Sequence, residues 1–176
     1  MPELSPARLR PAHEGDVAPL LALINGHADR GMLLRRTEQS LRARLEDFTV
    51  AEVEGEVVGC GALTALAPGL GEVRSLAVRA DQGGRGIGRL LALRLLEEAA
   101  RLGFSEVLAL TRRTSFFTAL GFEVTRRERF VDKLRVDCEA CPLNLCCDET
   151  AMVRTPPVLE PANGLTAEGT KESRAR

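Results

Sequence analysis

Apolar residues recur along this chain in two periods, and each change of period marks an element. After a short extended stretch at Leu9–Arg10 and Pro11, the positions Val17, Leu20, Leu21 and Ile24 follow helical spacing. Asp16 stands as N-cap, and Pro19 falls in the first turn, where a missing donor is tolerated. Asn25–Gly26 and Gly31 read as a break, and a second helix is predicted after Thr37 with Leu41 and Leu45 on one face. Phe48–Val53 and Val57–Leu63 read as strands joined across Glu54–Gly55–Glu56, a connection short enough to favour an antiparallel hairpin. Pro68–Gly69 and Gly71 punctuate the chain before a third strand through Val73, Leu76 and Val78. Its imperfect alternation suits a central strand covered on both faces.

Helical spacing returns over Ile87–Leu102, which offers Leu90, Leu91, Leu95 and Leu96 to a core, and Gly103 ends it. A strand at Phe104–Leu110, a short helix at Thr114–Leu120 and strands at Phe122–Arg126 and Ala151–Val153 complete the series. Strand, glycine loop, helix and strand in that order predict an α/β domain with a mixed sheet over residues 1–154. Residues 155–176 carry little apolar periodicity and read as a disordered tail.

Composition narrows the function classes. A chain of 176 residues has room for one substantial core, and a net charge of -1 gives no global reason to expect nucleic acid as a partner. The longest apolar runs, such as Leu20–Ile24 and Leu90–Leu93, are too short to cross a bilayer. No apolar stretch follows Arg8 and Arg10 as in a secretory signal, so a cytoplasmic address is expected. Tyr and Trp are absent, which removes the phenol as a catalytic acid. Five cysteines, an odd number, argue against a simple disulfide framework. Cys60 sits in an apolar strand and reads as a small core residue. Cys138, Cys141, Cys146 and Cys147 could surround a tetrahedral ion, form a redox pair or pack as plain thiols. The adjacent pair makes awkward ligands, and no metal is assigned.

The run from Val73 to Gly88 carries the chemistry: a strand feeds a turn whose glycines let backbone amides approach an anion. The following helix adds its N-terminal dipole, and Arg85 or Arg89 adds positive charge, so the assembly suits a pyrophosphate. No Gly-Lys-Ser/Thr ending follows, which disfavours a P-loop. A dinucleotide fold would place such a loop after its first strand, with an acid about 20 residues on. Here three strands precede the loop, and Gly103–Phe104–Ser105 stands where that acid would be sought.

With Gly84–Arg85–Gly86–Ile87–Gly88 and the later Ser115–Phe116–Phe117–Thr118–Ala119–Leu120–Gly121–Phe122, the chain resembles the GNAT acetyltransferase family over about residues 8–154. The resemblance implies a mixed, mostly antiparallel sheet flanked by helices. It implies acetyl-CoA as cosubstrate at Gly84, Arg85, Gly86, Ile87, Gly88 and Arg89, with no required metal. It also implies a splayed pair of strands at Leu76–Val78 and Val107–Leu110, where the backbone of Leu76, Ala77 and Val78 meets the pantetheine arm and the acyl oxygen. Gly83 departs from the pattern, since a basic or amide side chain often stands there.

Leu33–Leu34–Arg35–Arg36–Thr37, Phe48–Thr49–Val50, Leu110–Thr111–Arg112–Arg113 and the Cys-rich segment resemble, more closely, the short single-domain N-acetylglutamate synthases. That likeness implies acetyl transfer to the α-amino group of L-glutamate, the first step of arginine biosynthesis, with Arg35, Arg74, Arg112 and Lys133 binding the substrate. Two carboxylates call for two separated groups of donors, which arginine forks can supply, while Arg36 and Arg113 read as solvent-facing. Glu72 is either a water-mediated general base or a hairpin-end surface charge. Ser115 either orients the leaving thiolate or caps a helix. His13 and His27 read as surface or turn residues, and Asp148 and Glu149 as surface charges or partners of a substrate cation. Acetylation of a peptide, a lysine or a small amine is the alternative within the class, and a noncatalytic acetyl-CoA-binding regulator is the alternative outside it. The last strand is compatible with a homodimer.

Overall fold

The computed structural model describes residues 6–139, 141 and 147–159. Seven strands form one sheet: β1 (Arg8–Pro11), β2 (Phe48–Val53), β3 (Glu56–Ala67), β4 (Leu70–Val78), β5 (Glu106–Thr111), β6 (Glu123–Val124) and β7 (Thr150–Arg154), in the spatial order β1-β2-β3-β4-β5-β7-β6. Every pairing is antiparallel except β4 with β5, so the sheet is mixed and mostly antiparallel, as expected. Glu54 and Gly55 both take positive φ, the mirror-image turn that matches strand twist in a two-residue hairpin. Strand β4 starts earlier than the sequence suggests. Gly71 is part of it rather than punctuation, because a Cβ there would meet the Phe104 ring at 2.8 Å.

Helices cover both faces. On one side α1 (Val17–Ala28) and α2 (Glu38–Arg42) bury Leu20, Ile24 and Leu41 against Val50, Cys60 and Ala62. On the other, α3 (Ile87–Arg101) and α4 (Thr114–Thr118) bury Leu95, Leu96 and Phe117 against Val73, Val107 and Met152. Each such aliphatic side chain contributes about 1.5–3 kcal/mol by leaving water. Leu90 is 46% exposed. The core stripe of α3 runs through Ile87, Leu91, Leu95 and Ala99, and Leu90 sits one position off it.

Three expectations about helix ends need correction. Asp16 occupies the N-cap of α1 without capping it; its carboxylate binds Arg10 and the His13 amide instead. Helix α1 runs through Asn25–Gly26 to Ala28. Asn25 points its amide at the backbone N–H and C=O of Arg36, at 2.9 and 3.1 Å, and ties the following loop to the helix. Leu45 is buried, but in a separate 3-10 turn beyond α2.

After Phe130 comes a short α5 (Val131–Lys133), widening into a π-type turn over Leu134–Cys138. Cys146 and most of the predicted tail, from residue 160 on, lie outside the described residues.

Candidate active site

The sheet opens at its centre. Pairing of β4 with β5 is confined to Leu70–Glu72 against Glu106–Leu108; beyond that point the strands part. The splay therefore starts later on β5 than expected, since Val107 and Leu108 are still paired. A cleft of about 680 Å³ occupies the opening, walled by Val73 and Leu76–Val78 of β4, by Leu110 and Thr111 of β5, and by Phe116 and Phe117 of α4. One extra residue in β4 between its partners Cys60 and Ala62 makes a bulge, with Ser75 at φ 51. The bulge turns the backbone beside the opening, and Cys60 Sγ donates to the Ser75 carbonyl at 3.4 Å. Burial pushes the Cys60 thiol up to about 12, so it stays a packing residue.

The glycine loop forms one end of the cleft. Gly84 and Gly86 adopt φ of 74 and 77, conformations that side chains rarely take, and Gly86 is the N-cap of α3. Gly84, Gly86, Ile87, Gly88 and Arg89 line the cleft. Amides at the start of a 15-residue helix, beside a cleft with no acidic side chain at that end, suit a pyrophosphate. Leu76, Ala77 and Val78 supply the β4 wall. Arg85 turns aside to the Gln82 amide oxygen, outside the cleft wall.

Next to the β4 wall, behind the residues that line the cleft, long side chains form a charged network. Glu72 is 3% exposed, which rules out a surface charge; Lys133 Nζ donates to its Oε2 at 2.9 Å and lies 2.9 Å from its Oε1. Arg74 bonds Glu72 and Asp137, and Lys133 also reaches Asp137 at 3.1 Å. Burial raises the Asp137 carboxyl, but Lys133 and Arg74 outweigh it and hold the group below the usual carboxylate range. Arg36 lies beside this network, bonding Ser75 Oγ at 3.4 Å, and is half-buried rather than solvent-facing. Among the described residues no carboxylate lies within ion-pair distance of it. Burial, then the like charge of Arg74, lowers its affinity for its own proton.

At the far side Arg112 bonds Asp148 at 2.5 Å and the Gly31 carbonyl at 3.2 Å, with Glu149 at 3.7 Å. This arginine thus straps the loop after α1 to the segment before β7. Arg112 and Glu149 line the cleft. Arg35 lies on the exposed surface, paired with Asp29. Arg113 is exposed at the cleft rim, and Ser115 is exposed in the first turn of α4.

Arg36, His27 and Glu149 are the residues the sequence reading undervalued. His27 sits in α1, lines the cleft and meets the Val78 carbonyl at 2.9 Å. Its spacing from Leu20 and Ile24 placed it on their helical face, so that signal was present. Nothing local distinguishes Arg36 from Arg35; the Asn25 clamp does, from eleven residues away. Cys60, Cys138, Cys141 and Cys147 are free thiols, and among the described residues no group of three or more His, Cys, Asp or Glu could hold a metal ion. No helix among those residues is long and apolar enough to cross a membrane.

The profile of the acetyltransferase (GNAT) family matches residues 20–122. An uncharacterised N-acetyltransferase of Chlorobaculum tepidum is 35% identical over 147 residues, covering 84% of this chain and 95% of that protein. The amino-acid acetyltransferase of Neisseria meningitidis is 30% identical over 131 residues, covering 73% of this chain; the match spans only 30% of that longer protein. The N-acetylglutamate synthase of Neisseria gonorrhoeae, complexed with coenzyme A and N-acetyl-glutamate, superposes with a TM-score of 0.79 at 26% identity. It covers 88% of this chain and 36% of that one.

Proposed function

We propose that this chain, which belongs to the acetyltransferase (GNAT) family and uses acetyl-CoA, transfers the acetyl group to the α-amino group of L-glutamate. The carrying observation is the half-buried Arg36 guanidinium, which has no carboxylate of the protein to pair with among the described residues. Arg74 and Lys133 are paired with Glu72 and Asp137, and Glu72, Asp137 and Asp47 act on Arg36 only at longer range, so its guanidinium fork is left open to a carboxylate. A planar guanidinium beside the Ser75 hydroxyl suits it. Arg112 supplies a second cation at the cleft and can take the other carboxylate by exchanging Asp148, which is 67% exposed. Kinship to an amino-acid acetyltransferase and to a synthase solved with N-acetyl-glutamate supports the same acceptor.

Acetyl-CoA supplies an activated thioester acyl group. Backbone amides around Gly84–Gly88 hold its pyrophosphate, and the unpaired edge of β4 at Leu76–Val78 orients the arm and offers donors to the acyl oxygen. Arg36, Arg74 and Lys133 fix the acceptor, so that holding the reactants together supplies much of the rate. Glu72 keeps Arg74 and Lys133 in place. Ser115 steadies the departing thiolate from the first turn of α4, beside the cleft-lining Phe116.

One observation favours a second reading. Asp148 and Glu149 already surround Arg112, and that acidic end would suit an acceptor with a distal cation, such as a diamine. Mass-spectrometric detection of acetyl-CoA-dependent products across free amino acids, short peptides and polyamines separates the two. N-acetylglutamate is the expected main product. Efficient acetylation of polyamines or peptides without glutamate turnover overturns the acceptor and leaves the family intact.

A further inference from the structure

We propose that Glu149 is the general base that takes a proton from the acceptor's ammonium group. This goes beyond the acceptor assignment, since it rests only on acetyl transfer to an amine. Two carboxylates, the buried Glu72 and the half-buried Glu149, stand beside the opening of the sheet, and their surroundings differ. Oε2 of Glu72 accepts from Lys133 and from Arg74, and Oε1 lies 2.9 Å from Lys133 Nζ. The carboxylate is paired with two cations, and it does not line the cleft. Glu72 is therefore a positioning residue.

Glu149 lies on the cleft wall with Leu110, Thr111 and Arg112, one residue before β7, whose Thr150 pairs with Thr111 of β5. Its side chain is 24% exposed, enough to reach a ligand and too little to be fully hydrated. Arg112 from β5 stands 3.7 Å away but is engaged more closely by Asp148; Lys133 from α5 and Glu72 from β4 face it at longer range, and Cys147 Sγ lies at 4.0 Å. Burial pushes the Glu149 carboxyl above the usual range, against the opposing pull of Arg112 and Lys133. A carboxylate with raised proton affinity, facing the cleft and free of short bonds to cations, meets the requirements of a base near neutral pH.

In the step, Glu149 accepts one proton from the ammonium nitrogen. The freed lone pair forms the amide bond as the carbon–sulfur bond breaks, with the electron pair leaving on sulfur. The second nitrogen proton passes to that sulfur or to solvent, and Glu149 releases its own proton to water before the next turnover.

The test compares Glu149→Gln, Glu149→Asp and Glu72→Gln in the full chain, following acetylation of L-glutamate and of spermidine against pH, so that the acceptor and the base fail separately. For whichever amine turns over, Glu149→Gln should lower kcat about a hundredfold near neutral pH. The gap should narrow as pH approaches the amine's own pKa, where a base is no longer needed. Coenzyme A affinity by calorimetry should not change, and Glu149→Asp should recover part of the rate. Carbon-13 NMR of the free protein should show Glu149 titrating above an ordinary glutamate. A pH-independent loss, wild-type activity in Glu149→Gln, an ordinary Glu149 titration, or transfer of the pH-dependent loss to Glu72→Gln would each overturn the assignment.

Discussion

The two ends of the cleft are made of different material. At the end assigned to the donor, the groups on offer are backbone amides, placed by Gly84, Gly86 and the start of α3, all within one short stretch of chain. At the acceptor end they are long charged side chains: Arg36 after α1, Glu72 and Arg74 on β4, Arg112 after β5, Lys133 and Asp137 around α5, and Asp148 and Glu149 before β7. The donor end takes its shape mainly from backbone conformation, with only a partly exposed cluster of Arg79, Asp81, Gln82 and Arg85 beside the loop. The acceptor end holds its shape by pairing with itself, and what it leaves unpaired decides what it binds. A backbone cradle tolerates surface drift, whereas a network of buried charges makes each member matter to fold and function together.

The largest expected effect tests that difference. Lys133→Met leaves the buried Glu72 and the half-buried Asp137 with one cation fewer, and should destabilise the fold by about 3–5 kcal/mol in urea unfolding. The double variant Glu72→Gln/Lys133→Met should recover much of that loss. If Lys133→Met instead unfolds like the parent, the network is not structural and the contrast between the two ends collapses. Next in size, Arg36→Ala should raise the KM for glutamate about ten- to a hundredfold, the worth of a charge-assisted hydrogen bond. The KM for acetyl-CoA should stay within about twofold, inside the scatter of surface changes. A matching rise in both constants would mean that Arg36 only supports the fold.

The same contrast explains what could be read from residues alone. Glycines, a helix start and the strand before them lie next to one another in sequence, so the donor end, the α/β class and the order of the central elements were legible from local pattern. The splay was legible as an expectation, but its starting point was not, because it depends on where β4 and β5 stop pairing. The acceptor end could be read only as a stock of arginines. Choosing Arg36 over Arg35 needs the Asn25 clamp, and recognising Glu72 as buried needs Lys133 folded over it from 61 residues away. Leu90 shows the same limit on a smaller scale: the apolar run was visible, yet which leucine faces outward is set by the sheet under α3.

At the donor end, Gly86→Val puts a β-branched residue where φ is 77, at a cost of about 1–3 kcal/mol in backbone strain. If that loop holds the pyrophosphate as proposed, acetyl-CoA affinity should drop about tenfold or more while the KM for the amine is spared. Calorimetry with coenzyme A and steady-state kinetics check both halves. Loss confined to the amine would put the cradle elsewhere.

The smallest effect is the most discriminating about the acceptor. Asp148 is exposed and bonds Arg112 at 2.5 Å, so removing its charge should alter stability by no more than about 1 kcal/mol. Yet it changes what Arg112 offers to the cleft. If Arg112 receives a substrate carboxylate, Asp148→Asn removes its competitor, and the KM for glutamate should fall a few-fold, with the change shrinking as salt is added. If the acidic end instead receives a distal cation, the same substitution should raise the KM for a polyamine. Its sign, measured on one variant with two acceptors, therefore separates an arginine that awaits a carboxylate from one that merely staples the α1 loop to the chain before β7.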